Sequence, residues 1–176
     1  MDRIDRIINR CKQGFVSCAE LFKKPTFAIK VNDADLIPPC RGWKLIEGVK
    51  EPSGIVTLEI VGFYEESHEH FASKGHYFPG DKEIIQFMKT NERFLGERTM
   101  RSLFAARNHI PREWRVIGNQ NNQLFCPGTI WQDRDGHLRI PSMDFLGGNW
   151  YFDYEYLSDD GISFSQIESW FLRQIK

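Results

Sequence analysis

Three of the five histidines, His68, His70 and His76, fall in one polar segment that also carries Glu65, Glu66 and Glu69. On an extended strand His68 and His70 face the same side. Two imidazoles so placed can share a divalent metal, with Glu66 or His76 as a third ligand. The chemistry of that set would be metal-dependent catalysis. The same residue types also make an ordinary solvated loop, and catalysis has no other anchor. The chain holds no Gly-rich phosphate loop, no Gly-x-Ser-x-Gly elbow and no His-Glu-x-x-His pair. A non-enzymatic protein without cofactor is therefore expected, with a divalent metal at the histidines as the exception.

A second constellation spans residues 82–108. Phe94-Leu95-Gly96 followed by Glu97 to Arg107 resembles the turn and second helix of a helix-turn-helix, in which glycine lets the second helix present its outer face to a DNA groove. From Lys82 to Arg115 there are eight basic residues against four acidic ones. Arg98 and Arg101 would then meet phosphates, and nucleic acid is the alternative partner.

The third lies near the carboxyl end. Trp131, Trp150, Tyr151 and Tyr154 supply rings, and Asp153 and Glu155 supply charge, all within a segment that turns acidic: Asp133 to Lys176 has eight acidic residues and four basic ones. Aromatic sheet surfaces can stack bases or grip a peptide, but a negative field repels phosphate and attracts a basic protein. Binding of a protein partner through this acidic, aromatic face is the preferred function. Asp133-Arg134-Asp135-Gly136 opens like a calcium loop, yet the later oxygen ligands are missing, so a hairpin turn is expected there.

Overall charge and size bound these readings. The 176 residues carry a formal net charge of −1, with 41% hydrophobic and 14% aromatic side chains. That excludes a protein whose whole surface embraces a phosphate backbone and fits an ordinary globular chain. Cys11, Cys18, Cys40 and Cys126 form no Cys-x-x-Cys pair, and free thiols suit a reducing compartment. No run approaches the ~20 apolar residues of a membrane helix, so the expected location is cytoplasmic with no membrane partner.

Periodicity sets the secondary structure around these groups. Ile4, Ile7, Ile8, Cys11, Phe15, Cys18 and Phe22 form one helical stripe ended by Pro25. Phe27 to Val31 alternates as a short strand. Trp43 to Ile46 and the apolar run Ile55 to Tyr64 suggest a hairpin whose second strand is central and covered on both faces. A helix begins at Asp81, and a second runs over Glu97 to Arg107. Trp114 to Ile117 opens a β-rich end. From Leu124 to Leu157 two glycine turns, Arg134 to His137 and Leu146 to Asn149, divide three apolar runs into an antiparallel meander. Ser163 and Gln166 form a capping box for a last helix with Phe164, Ile167, Phe171 and Ile175 on one face.

The sequence therefore predicts one α+β domain over 1–176, with a helical and strand half at 1–110 and an aromatic meander plus C-terminal helix at 111–176. Its mostly antiparallel sheet is packed by N- and C-terminal helices, with a two-helix insertion in the middle.

Overall fold

The computed structural model describes residues 25–62, 95–115, 123–157 and 170–175. Within them Thr26–Val31 (β1) alternates, so that Ile29 and Val31 are buried while Ala28 and Lys30 face out. It pairs antiparallel with Gly54–Gly62 (β3), whose Val56, Leu58 and Ile60 are buried in turn. Lys44–Gly48 (β2) does not pair with β3. It lies against Thr129–Gln132 (β5), with Ile46 bulged out of the ladder. The expected β2–β3 hairpin is thus replaced by pairings distant in sequence. Nor is β3 covered on both faces at its start, where Ile55 is 83% exposed.

Leu138–Leu146 (β6) organises the other half. Asn149–Leu157 (β7) pairs with it along its whole length. Its opposite edge is shared by β5, at Leu138 and Arg139, and by Gln123–Phe125 (β4), at Ser142 to Asp144. Trp170–Gln174 (β8) runs antiparallel to β3 and parallel to β4, giving the order β1-β3-β8-β4-β6-β5-β2 with β7 flanking β6. The β5-β6-β7 part is the meander, and Leu124 belongs to the separate β4.

One helix, Glu97–Ala105 (α1), is present among the described residues, followed by short 3-10 turns at Arg107–His109 and Arg112–Arg115. The chain is therefore mostly antiparallel sheet. The expectation of terminal helices packed on a sheet with a two-helix insertion is overturned. The N-terminal helix and the first helix of the pair fall outside the described residues. At the C-terminus the reason is physical. A short apolar run fits a period of 3.6 or of 2 equally well, and tertiary pairing decides between them. Here Leu172 is fully buried beside Ile60, while Arg173 reaches the Glu59 carboxylate at 2.7 Å. Likewise Trp114 opens no strand: it is buried in a 3-10 turn, edge-on to Phe27, with its indole N–H donating to the Pro25 carbonyl.

Phe125, Ile140 and Ser142 are buried on one face of the sheet, while another core layer lies between the opposite face and α1. Residues directly opposite on paired strands share a face, and Ile29, Val56, Leu58, Leu172, Leu124, Met143 and Trp150 form that face against Met100 and Leu103 of the helix. Each fully buried Leu or Met contributes about 1.5–3 kcal/mol by leaving water. Cys126 is buried among them as a free thiol.

Candidate functional site on the β6–β7 hairpin

Gly147 and Gly148 give the hairpin its turn. Their φ values of 56° and 87° are both positive, as a two-residue turn matched to strand twist requires. From there β7 alternates. Trp150, Phe152 and Tyr154 face α1, and Tyr151, Asp153 and Glu155 face the other way. Register places Asp144 opposite Tyr151, Ser142 opposite Asp153 and Ile140 opposite Glu155, so three carboxylates gather on the sheet face away from the helix. Gln123 of β4 stands beside Asp144 and donates from its amide to Glu155 Oε2 at 2.9 Å.

The electrostatics of this face are those of crowding. Burial first, and then repulsion from Glu155 and Asp153, push the Asp144 carboxyl up to about 6. Among the described residues no Lys or Arg forms an ion pair with Asp144, Asp153 or Glu155. The Ser142 hydroxyl, on the same face, is buried with no hydrogen-bond partner. Tyr151 stands at the rim, half exposed. Such a face attracts cationic groups.

On the helix side the polar groups answer one another. Glu97 is fully buried, yet its Oε1 accepts from Arg101 Nε and from the Tyr154 hydroxyl, both at 2.6 Å, and its Oε2 accepts from the Trp131 indole N–H. Arg101 also donates to the Tyr154 hydroxyl and lies over the Phe152 ring. Glu51 caps the helix from 45 residues away, its carboxylate accepting from the backbone N–H groups of Gly96, Arg98 and Thr99. A Cβ at Gly96 would collide with the Thr129 hydroxyl and that carboxylate, so close approach is what glycine supplies there.

The structure thus divides the residues proposed from sequence. Tyr151, Asp153 and Glu155 share the face away from α1, where Tyr151 and Asp153 are exposed, Glu155 is half-buried, and Ile140 and Ser142 between them are fully buried. Tyr154 lies on the other, and Trp131 and Trp150 are buried there. Arg98 pairs with Asp33 at 3.1 Å, and Arg101 is engaged by Glu97 and Tyr154. His68, His70 and His76 lie outside the described residues. Asp144, Glu51 and Glu97 were not singled out by sequence. Apart from the i,i+4 pairing of Glu97 with Arg101, nothing local marks them, because their partners are distant in sequence: the start of α1 for Glu51, Trp131 and Tyr154 for Glu97, and Glu155 and Asp153 for Asp144.

A different set could hold a metal. Ligand atoms of Asp133, Asp135 and His137, in the β5–β6 turn, lie within 4.8 Å of one another. Asp133 is already occupied, though. Its Oδ1 accepts the N–H groups of Asp135 and His137, and its Oδ2 accepts from Arg139 Nε at 3.1 Å, placing a guanidinium beside the cluster. This is the hairpin turn expected at that position.

Among the described residues no helix is long and apolar enough to cross a membrane. Comparison of the chain with protein-family models, with curated proteins and with solved structures found no match.

Proposed function

We propose that this chain is a binding protein whose partner is another protein, held through a basic segment on the acidic face of the β6–β7 hairpin. Tyr151, Asp153, Glu155 and Asp144 make that face. The observation that carries the reading is the convergence of three carboxylates with no cationic ion-pair partner among the described residues. A partner's Lys or Arg would relieve their mutual repulsion and gain steering at low salt. Phosphate-rich ligands are repelled by the same field. Arg98 and Arg101, which a nucleic-acid reading would use, already neutralise carboxylates of this chain. A reducing, cytoplasmic setting suits the free thiols of Cys40 and Cys126.

Fluorescence anisotropy with a labelled Lys-rich peptide tests the proposal. Binding should weaken as salt rises and should be lost in the Asp144→Asn, Asp153→Asn, Glu155→Gln variant. Equal affinity in wild type and variant, or no binding at low salt, would remove the acidic face from the account.

A further inference from the structure

The same hairpin has a second asymmetry, in its backbone. Among the described residues β7 is hydrogen-bonded to a neighbour along one edge only, that of β6, and it is nine residues long. A long unpaired edge is a template for another strand unless side chains guard it. The Tyr154 backbone N–H shows the guard. It donates to the Asp153 side chain, Oδ1, at 2.8 Å. That N–H is therefore not spent on the β6 ladder, and by alternation the outward groups are those of Trp150, Phe152, Tyr154 and Tyr156.

Charge decides what can pair there. A second copy of β7, added antiparallel and centred on Asp153 or Tyr154, would set Asp153 opposite Asp153 or opposite Glu155, and like charges directly opposite one another are destabilising. A strand with cationic side chains at every second residue meets the opposite situation. Its Lys or Arg would stand beside Asp153 and Glu155, on the face that also holds Asp144. A cation at Asp153 would also draw the carboxylate off the Tyr154 N–H and release that donor for the incoming carbonyl.

We infer that the edge of β7 left unpaired among the described residues accepts an extended basic strand from a partner protein, with alternate Lys or Arg residues beside Asp153 and Glu155 and main-chain bonds to the outward groups of β7. The inference rests on the acidic-face reading and adds the mode of recognition, strand addition.

The full chain is titrated with an alternating Lys-Val peptide of about eight residues and with two versions of it, each N-methylated on one of the two alternate sets of amides. Strand addition uses one peptide edge. One methylated version should lose roughly tenfold or more in affinity while the other binds like the parent. Amide exchange at Tyr154 should slow in the parent complex. If both methylated peptides bind as the parent does, edge pairing is overturned and the acidic face alone stands. If none of the three binds at low salt, the acidic face falls as well. A chain that dimerises on sedimentation, and excludes the peptide when it does, assigns the edge to a second copy and overturns the inference.

Discussion

The Glu97 carboxylate holds the Tyr154 hydroxyl at 2.6 Å, joining α1 to β7 across 57 residues of sequence. Glu97 has no exposure to solvent, and Arg101 and Trp131 complete its shell. Removing it leaves a guanidinium and two further donors without their acceptor. Glu97→Ala should cost about 3–5 kcal/mol and Tyr154→Phe about 1 kcal/mol, read from urea denaturation. Burial first, and then the Glu97 hydrogen bond and charge, raise the Tyr154 phenol above its ordinary value of 10.0, with Arg101 opposing. A raised folded value means the contribution is complete below pH 10 and lost above it. Tyr154→Phe should therefore flatten the alkaline fall in stability, and an unchanged slope would contradict this arrangement.

Glu51 does for α1 what a local cap residue does elsewhere. The N-cap position is Gly96, which has no side chain to offer, and its own N–H and those of Arg98 and Thr99 in the first turn point at a carboxylate brought from the β2–β3 connection. Glu51→Ala should destabilise the protein by about 1–3 kcal/mol and speed exchange of the Thr99 amide. Glu51→Gln, which keeps one acceptor oxygen, should recover part of that loss. Full stability in the alanine variant would show that water satisfies those donors equally well.

These two carboxylates also explain how far the sequence could be read. The alternation of Phe27 to Val31, the glycine turn at Gly147-Gly148 and the strand from Trp150 are local patterns, and all three are visible in the chain. So is the apolar stripe of α1. The partners of β2 and β8 are not local. Ile55 to Tyr64 sits next to Trp43 to Ile46 in sequence, but the bulged β2 finds β5, and the helix-like spacing near Phe171 gave way once Leu172 could bury beside Ile60. The site followed the same rule. Asp153 and Glu155 are legible as two charges on one strand face, whereas Asp144 joins them only through register.

Cys126 provides a test of the core. Burial first, and then the nearby Glu51 charge, raise its thiol well above the ordinary value, whereas Cys40 is exposed. A thiolate is the reactive form, so Cys126 should resist alkylation in the native protein. Peptide mapping after brief iodoacetamide treatment should find Cys40 modified and Cys126 intact until urea unfolds the chain. Early labelling of Cys126 would mean that the α1 side of the sheet opens readily.

Asp144 links stability to the proposed binding. Its folded value of about 6 lies above the ordinary 3.8, because burial and the neighbouring Glu155 and Asp153 disfavour its charge. The neutral carboxyl therefore supports the fold fully below pH 3.8, and that support fades as pH rises through about 6. At pH 7.5 Asp144→Asn should be more stable than wild type by about 1 kcal/mol once solvent screening is counted, and the difference should vanish by about pH 4. Saturation with the alternating Lys-Val peptide should bring the Asp144 titration, followed by carboxyl carbon NMR, back toward the ordinary value, because a cation on that face favours the charged form. A titration that stays near 6 in the complex would place the bound lysines elsewhere.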